Sequence, residues 1–307
     1  MYAGRTLPRQ HTLNSAIAFA GGSDTYIIVP PVPGTSYWTT AVAIGTSIAG
    51  ATWTEVLYQD FSSLFNTNGA YTQNVSSFRY SALTAELEST TNDMNWVGNI
   101  TVMRQPIRAP LIVDLTATAL ATPFATRTLT GFNALGAPTL SDVYIAPFNK
   151  GAYSVSMNRN AEFNFEPVLL QSTPSLSLAN DTGGAVLSHF TGMSDLDSII
   201  IKVSVPGSVT MSGIIRTWAC VEYTPSITSA LYQYSGLSAD PDYRALMLYR
   251  QLMQNLPIAV AYADNATFWQ RVLSLIRGIT NVTNSLPGPA GVISNGVRAI
   301  TEGIASI

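Results

Sequence analysis

Charge is scarce in this sequence. Charged residues make up 11% of the 307 positions, well under the roughly 25% usual for soluble domains. A lone molecule so poor in charge would hydrate badly, so much of its surface should be covered by other subunits, lipid or ligand. Lysine occurs only as Lys150 and Lys202, and the net charge of −3 excludes a broadly basic nucleic-acid binder. The single cysteine, Cys220, excludes an intrachain disulfide and a cysteine-built metal site; it reads as a small buried hydrophobe. No apolar run reaches the 18 residues or more of a membrane span. The opening "MYAGRTLPRQHTLNS" has no apolar h-region, so no signal peptide is expected. Histidine is limited to His11 and His189, far apart and without carboxylate neighbours, and both read as structural. No nucleophile elbow, Walker loop, zinc-protease helix or dinucleotide fingerprint is present. Turnover of an external substrate is therefore not expected. The acidic pair in "DLD" at 195–197 reads as solvated carboxylates at a turn.

What the chain has instead is apolar bulk, 47% of residues, laid out in short strand-like runs. From about residue 12 to 225, β-branched and aromatic stretches such as "TYIIVPPVPG", "SYWTTAVAIG", "APLIVDLTAT" and "DSIIIKVSVPGS" end at Pro or Gly. "VSSFRYSALTAELES" alternates through Phe78, Tyr80, Leu83 and Leu87, with a phase slip in the middle. "VTMSGIIRTWACVEYTP" is the last long candidate, and "NTNGA", "NDTGG" and "VPGS" mark turns. Roughly eight to ten strands without regular intervening helices predict an antiparallel sandwich or barrel.

The texture then changes. "SADPDYRALMLYRQLMQNLP" predicts a helix with Asp240 as N-cap, Pro241 in its first turn and Tyr243, Leu246 or Met247, Arg250 and Met253 on one side. Pro257 stops it, and "IAVAYADN" follows as extended chain. The close of the chain reads as two helices about a Pro-Gly-Pro break. Phe268, Trp269, Val272, Leu273, Ile276 and Ile279 share one side of the first; Gln270, Arg271, Ser274, Arg277 and Thr280 lie opposite. Such a helix either docks on a core or lies in a membrane interface. The segment starts at an Asn–Ala pair, Asn265–Ala266. An asparagine carboxamide can attack its own main-chain carbonyl and release the next residue as an amine, given fixed geometry and a proton shuttle.

"NATFWQRVLSLIRG…NSLPGPAGV" resembles the membrane-active C-terminal peptide of insect nodavirus (alphanodavirus) capsid proteins, which begins after an Asn–Ala cleavage. "PVPGTSYW", "VSSFRY", "GNITV", "TWACVEY" and "LYQY" look like strand signatures of that family in the same order, over roughly residues 10–307. The resemblance implies a mainly β protein, a viral jelly-roll β-sandwich with short C-terminal helices. It implies a shell domain over 1–237, an inner helical segment and linker over 238–265, and an amphipathic membrane-active tail over 266–307. It further implies icosahedral self-assembly, location in the virion and in host cytoplasm during assembly, and membrane disruption by the tail. Asn265 and Ala266 become the scissile pair, and Phe268, Trp269, Val272, Ile276 and Ile279 the lipid-facing side.

Three departures from the family's pattern accompany it. The basic RNA-binding arm of the family is represented here only by Arg5 and Arg9, so a smaller or empty particle is expected. No residue matches the family's catalytic aspartate; Asp264 adjoins the scissile pair, and Asp60 is a second candidate. Of the family's calcium ligands only Glu162 keeps an acid, beside Gln73, Asn133, Asn164 and Leu170, which predicts a weak calcium site at most. The rival reading is a lectin-like sandwich stacking sugars on Trp38 or Trp96.

Overall fold

Strict alternation builds the longest wall. In the computed structural model, which describes residues 4–46, 48, 51, 53–58, 75–91, 96–105, 143–158, 163–167, 169–171, 187–189, 196–238, 246–247, 249–250, 256–264, 267, 269–270 and 272–274, strand β13 (Met211–Pro225) buries every second side chain. It pairs antiparallel with β1 (Arg5–Phe19) on one side and β5 (Val75–Ser89) on the other. Beyond β5 lies β8 (Ala152–Val155), and the short β9 (Glu166–Pro167) pairs with the start of β5. At the far edge β14 (Gly236–Leu237) pairs with the start of β1. The second sheet runs β4 (Thr54–Leu57), β3 (Thr35–Ala43), β2 (Ser23–Val29), β12 (Ser198–Val205), β6 (Asn99–Gln105), β7 (Val143–Pro147). A separate pair joins β10 (Leu169–Gln171) to β11 (Leu187–His189).

The order β1-β13-β5-β8 against β2-β12-β6-β7 is that of a jelly roll. Chain neighbours β1 and β2, β5 and β6, β7 and β8, and β12 and β13 lie in opposite sheets, so the chain passes repeatedly across the sandwich. One apolar core cluster holds residues of both sheets, among them Phe19, Phe78 and Ile215 from the first and Ile27, Val102 and Ile201 from the second. Each large side chain fully withdrawn from water contributes roughly 1.5–3 kcal/mol. Phe19 meets Phe148 edge-on at 5.4 Å between ring centres, the geometry that aromatic quadrupoles favour.

The phase slip in β5 is a β-bulge. Ala82 pairs with Cys220 and Tyr80 with Val221, which leaves Ser81 as the extra residue. Phe78 and Tyr80 face the core before it; Leu83, Ala85 and Leu87 do so after it. Alternation is lost in β12 for another reason. Ile199, Ile200 and Ile201 are all fully buried, so this strand is covered on both faces. Gly98 (φ 89°) lies so close to β12 that an added Cβ would sit 2.1 Å from the Ser204 carbonyl oxygen. No side chain fits that join between β6 and β12.

Other expectations are corrected in detail. Fourteen strands occur among the described residues, more than eight to ten, because short edge pieces such as β9 and β14 carry no sequence periodicity. Cys220 is half-buried rather than buried, since it lies on the non-core face of β13, and partial burial raises its thiol pKa. Asp197 is buried, not solvated, because the following strand starts inside the sandwich; Asp195 lies outside the described residues. His11 is structural as expected, with Nε2 2.9 Å from the Tyr223 hydroxyl and both residues buried; the placement of the His189 side chain is not among those described. In the helical segment, Met247 is exposed and Tyr249 is the anchor: its hydroxyl accepts the Asn158 amide hydrogen at 3.0 Å. The extended reading of "IAVAYADN" holds at Val260, which forms a bridge with Tyr153. It gives way to a 3-10 turn over Tyr262–Asp264.

Candidate functional site

The face of the first sheet turned away from the core carries a row of side chains not expected in mid-strand. Arg216 of β13 stands opposite Glu86 of β5, which stands opposite Tyr153 of β8. The bulge at Ser81 puts Glu86 and Glu88 on this face. Arg216 Nη1 donates to Glu86 at 2.6 Å and Nη2 to Glu88 at 2.7 Å. The hydrogen bond to Glu86 foremost, with Glu88 and Tyr262 assisting against partial burial, raises the already high pKa of this guanidinium further. It is a fixed cation.

Residues 256–264 run alongside β8 here. Tyr153 and Val260 exchange both backbone hydrogen bonds, at 2.8 and 2.9 Å, and the Ser154 hydroxyl donates to the Ile258 carbonyl at 2.6 Å. Arg104 Nη1 donates to the Val155 carbonyl at 3.1 Å. The next anchor is Tyr262, whose hydroxyl accepts from Arg216 at 3.4 Å and whose ring lies 5.9 Å from the guanidinium carbon. Gly151 (φ 59°) makes room for it: a Cβ there would lie 2.4 Å from the Leu87 carbonyl oxygen and 2.9 Å from the Tyr262 Cβ. Further on, Trp269 meets the Tyr153 ring edge-on at 6.2 Å, and Val272 is buried against the same tyrosine. A groove beside these contacts is lined by Tyr144, Lys150, Asp264 and Thr267 among others. Burial, and then the charge of Asp264, push the Tyr144 hydroxyl pKa up.

Burial also raises the Tyr153 pKa to about 12; a hydrogen bond with Trp269 opposes the rise and the charge of Glu86 adds to it. The folded chain therefore holds this proton at a pH where the unfolded chain, with an ordinary value near 10, has lost it. Stability is complete below about pH 10 and falls as pH climbs towards 12, by about 2–3 kcal/mol in all. Urea unfolding of wild type and Tyr153→Phe at about pH 9 and about pH 12 checks this. The wild type should lose more stability over that interval than the variant does.

The expected site residues divide as follows. Asp264 is exposed, at the end of the 3-10 turn. Trp269 is 42% exposed and Val272 only 6%, so the proposed lipid-facing side is partly covered by the sheet. Asn265, Ala266, Phe268, Ile276 and Ile279 lie outside the described residues, as do Asp60 and Glu162. Among the described residues no group of three or more His, Cys, Asp or Glu could hold a metal. The weak calcium candidate Glu162, with Gln73 and Asn133, lies outside the described residues, and no step is assigned to calcium. Burial removes Trp38 from the sugar-stacking alternative, at 1% exposed, and Trp96 is partly buried with its ring packed against the core. Tyr153, Arg216, Glu86 and Tyr262 were not expected at the site. For Glu86 and Arg216 the signal was present as charges inside strands, in "AELES" and "IIRTW"; Tyr153 and Tyr262 carried none.

The family model described as Peptidase A6 family matches residues 1–306. This chain belongs to the Peptidase A6 family. Among curated relatives of this family member, the capsid protein alpha of Flock house virus is 34% identical over 98% of this chain and 77% of its own length. The capsid protein alpha of Pariacoto virus is 31% identical, over 98% of this chain and 79% of its own. Among solved structures, that of the infectious bursal disease virus Gt strain superposes with a TM-score of 0.51 at 8% identity, covering 87% of this chain and 92% of that one. At that identity the likeness is one of fold, and it agrees with the jelly roll described above.

Proposed function

We propose that this Peptidase A6 family member is a structural coat protein whose copies close into an icosahedral shell, and whose C-terminal segment is cut free at Asn265–Ala266 to act on host membrane. The observation that carries the reading is the match to capsid protein alpha along nearly the whole chain, on a jelly-roll framework. Scarce charge fits a surface made for contact with copies of itself.

The cutting step is a single turnover. The Asn265 side-chain nitrogen bonds to the Asn265 main-chain carbonyl carbon, and the bond from that carbon to the Ala266 nitrogen breaks. One proton passes from the carboxamide to the departing amine. A succinimide remains on residue 265, and water opens it later. Asp264 is the carboxylate adjoining the linkage and the candidate for carrying the proton. Electron microscopy of the purified protein should show closed particles, and mass spectrometry of aged particles should show a fragment corresponding to 266–307. Monomers, or one intact species, would overturn the respective parts.

For the tail, a synthetic 266–307 peptide should release dye from anionic liposomes where a scrambled peptide does not. Trp269→Glu should suppress release by about tenfold or more, since a charge in place of an aromatic anchor opposes interfacial binding. Equal release by the variant would refute the interfacial mechanism.

A further inference from the structure

The scissile linkage lies between two anchors that share one row of the sheet. Tyr262, three positions before Asn265, is held by Arg216; Trp269, three positions after Ala266, is held by Tyr153. Arg216 and Tyr153 flank Glu86 in direct cross-strand register. Glu86 is buried, and with Glu88 it holds the guanidinium, whose Nη1 donates to Glu86 and to the Tyr262 hydroxyl while Nη2 takes Glu88. Three residues of chain reach at most about 11 Å, so both ends of the segment are confined close to the linkage.

We propose that the row Arg216–Glu86–Tyr153 positions Asn265–Ala266 for self-cleavage, with the Arg216–Tyr262 contact as the upstream anchor. The proposal rests on the reading of that pair as scissile. Cyclisation of asparagine is slow because the carboxamide nitrogen seldom meets its own carbonyl carbon at a productive angle. Restricting the chain on both sides removes unproductive conformations ahead of the reaction. The row moves no proton: Arg216 keeps its charge at every pH a shell survives. These are positioning residues, and the chemistry belongs to the linkage and its proton carrier.

The anchor is tested on assembled particles of full-length chain, with the fragment timed by intact mass at several pH values. Tyr262→Ala should slow its appearance about tenfold at each pH, leaving the shape of the pH profile and the sedimentation of the particles unchanged. Tyr262→Phe, which keeps the ring over the guanidinium, should recover most of the rate. Tyr262→Leu replaces the alanine variant if that one fails to assemble. Tyr234→Ala, on an exposed tyrosine away from the row, is the control. A wild-type rate in Tyr262→Ala or Tyr262→Leu overturns the anchor while leaving cleavage intact. So does a displaced pH profile, which would make the contact part of the chemistry. A wild type that yields no fragment overturns the scissile-pair reading itself, and the anchor with it.

Discussion

Particles of Asn265→Ala should keep every chain at full length. Cyclisation needs the carboxamide nitrogen as nucleophile, and alanine has nothing to put in its place. The expected loss is complete within detection, at least about a hundredfold, as for removal of any covalent nucleophile. Asn265→Gln should be nearly as inert, because one more methylene forces a six-membered ring and moves the nitrogen off the carbonyl carbon. Both variants leave the sheets untouched, so particles should form in normal yield. Intact mass measured over the interval in which wild type is cut decides the matter. A fragment ending at residue 265 in the alanine variant would show that another group performs the cut. The same uncut particles should release less dye from liposomes than wild type, which ties the cut to the membrane step.

The second large effect is on stability. Arg216→Ala leaves Glu86, of which the side chain is 7% exposed, without its cation, and Glu88 half-buried beside it. Removing one partner of a buried pair costs about 3–5 kcal/mol. Arg216 is itself 24% exposed, so the lower end, about 3 kcal/mol, is the expected loss in urea unfolding of the unassembled chain. The double variant Arg216→Leu with Glu86→Leu should recover most of it, because the charge then left without Arg216 is Glu88, which at 30% exposed still reaches water. If the single variant is as stable as wild type, the pair is not what keeps Glu86 on this face. The tail contacts give a further readout: with Arg216 gone, Tyr262 loses its partner, and segment 256–264 should exchange amide hydrogen faster.

The sandwich was largely legible in the sequence because alternation reports burial directly. "MSGIIRTWACVEYTP" reads as one strand, and it is one. The slip in the middle of "VSSFRYSALTAELES" is the bulge, since a β-strand cannot change its buried phase without an extra residue. What periodicity misses are elements made by their neighbours. β14, two exposed residues, exists because the edge of β1 offers free amides and carbonyls. Tyr249 was passed over because its partner, the Asn158 amide, belongs to a different part of the chain. The row at the site was hidden in the same way. Arg216 and Glu86 are separated by more than a hundred residues, and only pairing of β13 with β5 makes them neighbours. The Asn–Ala pair was visible as a dipeptide but acquired meaning only through likeness to a family. The contacts on either side of it exist only once the sheet has formed.

The bulge at Ser81 has a consequence for how this chain can evolve. From Phe78 to the bulge even-numbered positions of β5 look inward; downstream odd-numbered ones do, and a second irregularity at Ser76 turns Val75 inward at the start of the strand. Loss or gain of one codon elsewhere in 75–89 would turn half the strand over, sending Glu86 and Glu88 into oil and Leu87 into water. Substitutions in this strand are survivable one at a time, whereas a change in its length is not. Kindred sequences should therefore differ here in letters and never in spacing.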